Sequence, residues 1–220
     1  MAHIHLEDGS FYLQWVLIWT IVALVIIGIC VFWLRNVRKM DSRLMTLAAL
    51  CTAAAFAVFQ IEIPVFGGVH LSLTPLIGIL AGPAVGGVIV LIVNVFSAAI
   101  GHGGWGIIGA NAIVNMAEIV GAFFIYTWLS RSMKMKALYS AGIATFVGLF
   151  LGNAAMIGII LVSGIQGKDV VLAELSLVAA ANLVMAIIEA FVTAYIVAYI
   201  QKVRPDMLGA RKQESIQKPQ

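Results

Sequence analysis

The sequence predicts an all-α integral membrane protein: a seven-helix transmembrane bundle with its N-terminus outside the cell and its C-terminus in the cytoplasm. Hydrophobic residues make up 62% of the 220 residues and charged residues only 10%, whereas a soluble domain is about a quarter charged. Because so few charges cannot cover a globule in water, lipid must be the solvent for most of the chain. The apolar runs set the number of helices, and the basic residues between them set their direction.

The first apolar run follows Glu7 and Asp8, with no Lys or Arg ahead of it, which is the reverse of a secretory signal. The run from Leu73 to Ile100 is split at Gly82-Pro83, because a single crossing would leave the next basic cluster outside. As one helix this run is about 42 Å long, and two crossings need about 60 Å, so one or both legs must be short, irregular or re-entrant. We expect helices over residues 11–34, 44–62, 73–82, 84–100, 109–130, 137–164 and 175–200.

These helices form one membrane domain, residues 1–204, followed by a polar cytoplasmic tail, residues 205–220. In this topology twelve of the thirteen Lys and Arg residues lie on the cytoplasmic side, Lys168 being the exception. The basic residues are too sparse, and too confined to the ends of apolar segments, for nucleic-acid binding. Gly167-Lys168 is followed by Asp169, and no glycine stands five residues earlier, so the chain lacks a phosphate-binding loop. Any ATP that drives transport must be bound by another chain.

The four histidines, His3, His5, His70 and His102, all fall on the outer face in this topology. Histidine is the commonest metal ligand, because neutral imidazole binds a metal without burial of a charge. One such histidine is best explained by the polarity of a loop. Four out of four on one face, from three separate segments, favour a metal site.

The start of the chain adds a chemical reason for a metal. A free α-amine, backbone amides and a nearby imidazole form fused chelate rings, and such a planar nitrogen set suits Ni(II) or Cu(II). If Met1 is retained, Met1-Ala2-His3 supplies all four nitrogens and His70 lies outside the plane or binds axially. If Met1 is removed, Ala2 supplies the amine, His3 its amide and imidazole, and His70 the fourth corner.

Other polar residues are expected to support this site rather than to bind the metal. His102 lies in a Gly-rich loop and His5 alternates with His3, so both are interpreted as supporting or structural residues. Asn111 and Asn115, four residues apart, share a helix face just below that loop. The intramembrane Glu118 and Glu189 receive no metal or proton-transfer role. For Glu118, midway along its span, a protonated glutamate bonded between helices is an equally good explanation. The asparagines within spans are expected to bond across helices: Asn94, Asn111, Asn115, Asn153 and Asn182.

Ala49, Ala53 and Ala57 recur every four residues in the second span and form one smooth face. Small residues at this spacing let another helix approach closely in lipid. Packing within the bundle and docking with a partner chain explain the pattern equally well. Cys30 and Cys51 lie inside apolar runs and are interpreted as small buried hydrophobes rather than a disulfide pair.

Three ordered motifs resemble the substrate-capture (S) components of energy-coupling factor (ECF) transporters for nickel or cobalt, the NikM/CbiM-like family. The resemblance covers about residues 3–125, and the last two spans carry only generic membrane character. The motifs are His3-Ile4 with Glu7-Asp8-Gly9-Ser10-Phe11, Gly68-Val69-His70 through Ala81-Gly82-Pro83, and Gly103-Gly104 with Gly109-Ala110-Asn111 through Asn115-Met116.

The resemblance implies a non-enzymatic, seven-helix subunit of the prokaryotic cytoplasmic membrane that captures Ni(II) or Co(II) as its transported substrate. The family's ligands are the terminal amine, the amide and imidazole of the following histidine, and the loop histidine. They map to the N-terminal residue (Met1 or Ala2), His3 and His70. The sequence departs from the family at Ala2: either Met1 is removed and Ala2 restores the spacing, or the extra residue changes the chelate. The family works with a membrane scaffold (T) protein and two ATPases, and the alanine face of the second span would meet the scaffold.

Two other functions are compatible with parts of the sequence. An S component for a vitamin predicts a wide pocket lined by aromatic and charged residues of the outer loops, and no dependence on metal. A multi-span membrane metalloenzyme needs an open metal position beside an acid or base. Glu62, Asp169 or Glu174 would have to supply that group.

Overall fold

The computed structural model describes residues 8–37, 40–61, 70–167 and 172–208, which form an all-α fold. A short 3₁₀ turn, Trp105–Ile107, leads into the fifth helix, and a single turn follows the seventh. The α-helices are α1 (Leu13–Asn36), α2 (Ser42–Phe59), α3 (Thr74–Ala81), α4 (Pro83–Ala99), α5 (Ile108–Arg131), α6 (Ala137–Ser163), α7 (Leu172–Val203) and α8 (Pro205–Leu208).

The predicted spans and the observed helices agree to within three residues at every end. Within the described ranges, five helical segments are long and apolar enough to cross a bilayer: Leu13–Asn36, Ser42–Phe59, Trp105–Arg131, Ala137–Ser163 and Ser176–Val203. The 17 residues of α4 are about 26 Å long, close to one crossing, whereas the 8 residues of α3 reach only about 12 Å. The all-α membrane bundle is therefore confirmed. The count of seven crossings, their direction and the domain boundary at residue 204 stay predictions.

The short helix α3 begins in the middle of the bundle, not at its surface. The residues just before it, Ser72 and Leu73, bond to Glu189, which lies halfway along the 32-residue α7. All eight residues of α3 are buried. The predicted break is confirmed at Gly82, whose φ of 80° lies in the left-handed region open to glycine, and Pro83 then begins α4. The short leg anticipated from the sequence is thus α3, preceded by non-helical chain at membrane depth.

Basic residues gather at one end of the bundle, here called the basic end. There Leu34 of α1 and Leu44 of α2 pack near Ala81, while Leu80 packs near Ala137 and Leu208. Every Lys and Arg of the described ranges lies next to these contacts: Arg35, Arg43, Arg131, Lys134, Lys136, Lys202 and Arg204.

The opposite end of the bundle, here called the histidine end, brings the start of α1 to the start of α5 and the end of α6. Phe11 is buried there against Ile107, Ala110 and Ile160. The indole Nε1 of Trp19 donates a hydrogen bond to Ser163 Oγ at 2.8 Å. These contacts hold the first helix of the chain onto the core of the bundle.

The tightest packing joins α5 to α6 around Glu118, whose side chain is fully buried. A Cβ added at Gly148 would lie 2.7 Å from the Glu118 carbonyl oxygen, and one added at Gly152 would overlap the Glu118 side chain. Glycine at position 152 therefore makes room for the buried carboxyl group, and glycine at position 148 lets the two helix backbones approach closely.

The asparagine prediction is confirmed for one pair. The Asn153 amide on α6 donates to the carbonyl oxygen of Ala179 on α7 at 3.2 Å, and the Asn182 amide donates to Asn153 Oδ1 at 3.3 Å. The prediction is wrong for the Asn94 amide, which donates to Val90 O one turn back on its own helix. A buried asparagine next to a helical carbonyl satisfies its donor without a partner helix.

Gly152→Ala is expected to destabilise the protein, since the new methyl group overlaps the Glu118 side chain and the α5–α6 backbones are already in close contact. Overpacking of this kind costs about 1–3 kcal/mol. Gly158→Ala on the same helix is the matched control, because nothing lies within 4 Å of its added Cβ. Thermal unfolding of both variants in detergent checks this, and equal midpoints would contradict the packing described.

Candidate functional site

Two of the predicted histidines lie side by side at the histidine end. The ring centroids of His70 and His102 are 5.3 Å apart. The ring of Phe59, the last residue of α2, touches both, with its centroid 4.2 Å from His70 and 5.1 Å from His102. His70 is only 1% exposed and Phe59 only 2%. His70 is thus buried in an aromatic cluster, and the half-buried His102 lies against the same Phe59 ring.

The loop after α4 positions His102 through its glycines. Gly101 and Gly103 have φ values of 81° and 89°, which lie in the left-handed region, so the chain turns sharply on either side of His102. The backbone N–H of His102 donates to the Ser97 carbonyl oxygen at 2.9 Å, which folds the loop back over the end of α4. Gln60 Nε2 donates to Ser97 Oγ at 3.4 Å and ties the end of α2 to the same turn.

The first described residues of the chain bind to this loop. Asp8 Oδ1 accepts a hydrogen bond from the backbone N–H of Gly106 at 2.8 Å, four residues after His102. The carbonyl oxygen of Ser10 accepts from the N–H of Gln166 at 2.7 Å, and Phe11 is 3% exposed. We call Asp8, Ser10 and Phe11 the N-terminal strap. Through it the beginning of the chain is fastened at the same end as the histidine pair.

The segment between His70 and α3 is held by a carboxylate from the membrane interior. Glu189 accepts hydrogen bonds from the backbone N–H groups of Ser72 and Leu73, both at 3.0 Å, and from Ser72 Oγ at 2.9 Å. Leu73 has a φ of 58°, the left-handed conformation, which costs a non-glycine residue about 1–2 kcal/mol. Side-chain bonds therefore replace the helical bonds that this turn cannot make.

A second glutamate reaches the same turn from α5. The hydroxyl of Ser72 lies 2.8 Å from that of Thr74, and Thr74 Oγ1 is hydrogen-bonded to Glu118 Oε2. Both glutamates are 0% exposed. The two intramembrane acids noticed in the sequence thus belong to one hydrogen-bonded chain below His70.

The predicted ligand set is only partly within the described structure. Met1, Ala2, His3 and His5 lie outside the described residues, as do Glu62 and Asp169 of the enzyme alternative. Accordingly, no group of three or more His, Cys, Asp or Glu side chains in metal-binding positions is found in the described part of the chain. The metal ligands therefore stay a prediction, for which His70 and its neighbour His102 now have positions.

The predicted supporting and docking residues have clear positions too. Asn111 and Asn115 are buried on the first turns of α5, directly after the His102 loop. Ala49, Ala53 and Ala57 are all exposed on α2. The role of this alanine face, in packing or in docking with a partner chain, stays a prediction.

Sequence reasoning missed Phe59 and assigned no site role to Asp8. Phe59 carries no signal in the sequence, because an aromatic residue at the end of a span is ordinary in membrane proteins. Asp8 had a weak signal: it is an acidic residue five positions after His3 and precedes a glycine. Its partner, the backbone of Gly106, carries no side chain to indicate it.

Comparison with known proteins places the chain in a family. The family model described as "Cobalt uptake substrate-specific transmembrane region" matches residues 5–207. A putative cobalt transport protein of Methanocorpusculum labreanum is 26% identical over 93% of this chain and 91% of its own length. A putative fused nickel transport protein of Archaeoglobus fulgidus is 27% identical over 93% of this chain and 68% of its own length.

The fold is also that of a solved protein. The crystal structure of a transition metal transporter superposes with a TM-score of 0.77 over 91% of this chain and 93% of that chain, at 20% identity. At this identity the likeness concerns the fold alone. The match of the family model covers nearly the whole length and agrees with the resemblance carried by the three motifs. The chain therefore belongs to the family of cobalt uptake substrate-specific transmembrane regions, multi-pass transport proteins of the prokaryotic cell membrane.

Proposed function

We propose that this protein is the substrate-capture subunit of an ATP-driven nickel or cobalt uptake transporter, and that it binds Ni(II) or Co(II) at the outer face of the membrane. The observation that carries the proposal is the placement of His70 beside His102, at the end of the bundle where the N-terminal strap is fastened. The opposite, basic end faces the cytoplasm by the positive-inside rule. The metal is the transported substrate, so the protein needs no catalytic residues.

The ligands are the N-terminal amine and amide nitrogens, the imidazole of His3, and His70. Asp8 lies five residue steps after His3, and five extended steps span about 17 Å. Because Asp8 is bonded to the loop that carries His102, this length lets the chain start reach the histidine pair. With Met1 retained, the first three residues fill the plane and His70 binds axially or stays outside it. With Met1 removed, Ala2, His3 and His70 complete the plane.

His102 and Phe59 orient His70 in this proposal. A ring held on two sides keeps its nitrogen aimed at the metal, and such support is what fixes ligands in metal sites. Planar nitrogen coordination favours Ni(II), and Cu(II) would bind at least as well by the general affinity order. Selection between these ions therefore depends on their supply as well as on the site. Asn111 and Asn115 support the outer loops from the start of α5.

Transport requires partners that hold ATP, since the chain has no phosphate-binding loop. We assign that role to two ATPase subunits, joined to this protein by a membrane scaffold (T) protein as in ECF transporters. The exposed alanine face of α2, formed by Ala49, Ala53 and Ala57, is the surface for the scaffold. Three small side chains on one helix face let a partner helix approach closely. Such close packing is a main source of helix association in lipid.

Extending the N-terminus tests the proposed set of metal ligands directly. One extra glycine ahead of the mature N-terminal residue displaces the amine, and His70→Ala removes an imidazole. The extension should weaken Ni(II) binding by more than about 100-fold, the upper end of the loss typical of a supporting residue. His70→Ala should do the same where Met1 is removed and His70 is the fourth ligand of the plane. Calorimetry on purified protein measures this, with one glycine added after Gln220 as the matched control. Unchanged affinity in the N-terminally extended protein would exclude the amine as a ligand.

Asp8→Ala should weaken metal binding about tenfold, because the N-terminal strap loses its bond to Gly106 and the chain start is no longer held at the site. Asp41→Ala is the matched control. It also removes a carboxylate acceptor, since Asp41 Oδ1 accepts a hydrogen bond from the Leu44 N–H at 2.7 Å, but at the basic end of the molecule. That variant should lose about 1 kcal/mol of stability and keep its metal affinity. Equal affinities in both variants would show that the strap does not serve the site.

Ala53→Leu should keep metal binding and lower the amount of scaffold protein that co-purifies, since a larger side chain holds the partner helix away. Ala54→Leu changes the next residue of α2, which is also exposed but lies outside the alanine face, and is the control. Affinity purification of the assembled transporter from membranes measures both. Full recovery of the scaffold with the Ala53 variant would remove the alanine face from the proposal.

A further inference from the structure

We propose that a groove at the basic end, between α1, α2 and α4, binds an acyl chain of an anionic phospholipid, and that Arg35 holds the phosphate of its headgroup. This groove, here called the basic-end groove, has a volume of about 520 Å³. It lies at the end of the bundle opposite the histidine pair and is independent of metal binding. Its lining residues are Val31, Leu34 and Arg35 of α1, Met40, then Met45, Ala48, Ala49 and Thr52 of α2, and Val85, Val88, Ile89 and Ile92 of α4.

The basic-end groove has a buried apolar floor and an open side. Leu34 of α1 and Val85 and Ile89 of α4 belong to the hydrophobic core, and none of them is more than 7% exposed. Val31 and Met45, on the α1 and α2 sides, are 41% and 57% exposed. The groove is therefore part of the outer surface of the bundle, and in a bilayer its open side faces hydrocarbon.

The groove runs in the direction of a lipid chain. Its lining extends from Met45 to Thr52 along α2 and from Val85 to Ile92 along α4, about 10 Å of helix in each case. Both stretches begin in the first turn of their helix, at the basic end. The groove therefore starts where lipid headgroups lie and crosses about a third of a hydrocarbon core about 30 Å thick.

The lining suits hydrocarbon and not water. Apart from Arg35 and Thr52, every lining residue is apolar, and the Thr52 hydroxyl donates to the Ala48 carbonyl oxygen of its own helix at 2.8 Å. A cavity without polar partners stays free of water. Met40 and Met45 have flexible, polarisable side chains, which adapt to an irregular apolar occupant.

The volume favours a lipid chain over a helix of another protein. A helix with its side chains is about 10 Å wide, so a helical segment as long as the groove fills about 800 Å³. The groove holds about 520 Å³. An acyl chain is much thinner than a helix and enters such a space without displacing the walls. We therefore assign the groove to lipid and not to a helix of a second copy or of a partner.

The headgroup must decide which lipid binds. Because lipid tails are as apolar as the groove, moving a chain from the bilayer into it brings no hydrophobic gain. Of the described residues that line the groove, Arg35 alone is charged, and it lies in the last turn of α1. A guanidinium group matches the geometry of a phosphate, to which it donates two parallel hydrogen bonds. Arg35 is therefore placed to bind a phosphate whose acyl chain lies in the groove.

The charge around the groove mouth favours an anionic headgroup. Residues 35–43 include four basic side chains, Arg35, Arg38, Lys39 and Arg43, and one acidic side chain, Asp41, so four positive charges less one negative leave +3. The positive-inside rule accounts for basic residues at this end, but not for an apolar groove that opens among them. Basic pockets between transmembrane helices on the cytoplasmic side bind anionic lipid headgroups.

Lipid titration of the purified full-length protein, followed by native mass spectrometry, tests the headgroup. The wild type should bind phosphatidylglycerol at least about fivefold more tightly than phosphatidylcholine with the same chains, because one basic residue near a headgroup contributes about that factor, or about 1 kcal/mol. Arg35→Ala should lower the affinity for phosphatidylglycerol about fivefold. It should affect phosphatidylcholine less, since the choline ammonium offsets the phosphate charge.

Arg131→Ala is the matched control for the headgroup. Arg131 is also an exposed arginine in the last turn of a helix at the basic end, but it does not line the groove. This variant should keep the lipid affinities of the wild type. Equal affinities of the wild type for the two lipids, or equal losses in the two arginine variants, would overturn the proposal.

Filling the groove tests the site of the acyl chain. Ala49→Leu places a larger side chain in the lining and should lower the affinity for both lipids at least about fivefold, since overpacking costs about 1 kcal/mol or more. Ala54→Leu, on the same helix, is the control, because Ala54 is exposed but does not line the groove. Unchanged lipid binding in Ala49→Leu would overturn the assignment.

The same spectra detect a second copy of the chain in place of lipid. A dimer that forms when lipid is removed and is lost in Ala49→Leu would assign the groove to that copy and overturn the proposal. None of these measurements uses metal or the scaffold protein, so their results are independent of the proposed function. Ala49 also belongs to the alanine face, so a lipid in the groove would border the surface proposed for the scaffold.

Discussion

The hydrogen bonds between Glu189 and the turn at Ser72 and Leu73 are the constraint on which this structure depends. They let the chain run without helical structure into the middle of a bundle that lies in lipid, where backbone donors have no water to bond. A carboxylate on a neighbouring helix supplies what the missing helical turn cannot. One acidic side chain that is costly to bury therefore stabilises a feature that hydrophobic burial alone would forbid.

This constraint also explains the shape of the third helix. Because the chain reaches mid-depth before it becomes helical, eight residues suffice to carry α3 down to the basic end. Its narrow profile lets it pack closely on α5: a Cβ at Gly78 would lie 2.6 Å from the Ile119 carbonyl oxygen. Between the start of α3 and the histidine end lies the non-helical segment that carries His70. A full-length third helix would fill this space, where the metal site is proposed.

The proposed site draws its groups from distant parts of the chain. The end of α2 supplies Phe59, the segment before α3 supplies His70, and the glycine loop after α4 supplies His102. The N-terminal strap fastens the chain start to that same loop through Asp8. Each contribution is short and anchored by its own hydrogen bond or aromatic contact. In the proposed function, a site assembled from several segments would lose affinity when any one of them is released, which suits capture of a substrate followed by its delivery.

The sequence alone determined the class of protein, the seven helical segments to within three residues, and the break at Gly82-Pro83, because hydropathy, glycine and proline act locally. It also placed His70 and His102 at one end, since the distribution of basic residues orients every span. Only the tertiary structure decided that α3 is a half-length helix, that Glu118 and Glu189 belong to one hydrogen-bonded chain, and that Phe59 and Asp8 lie beside or near the histidine pair. Those features depend on contacts between segments up to 117 residues apart, and several are made by backbone groups that every residue shares. A pattern of side chains along the chain cannot encode which backbone amide a distant carboxylate will meet.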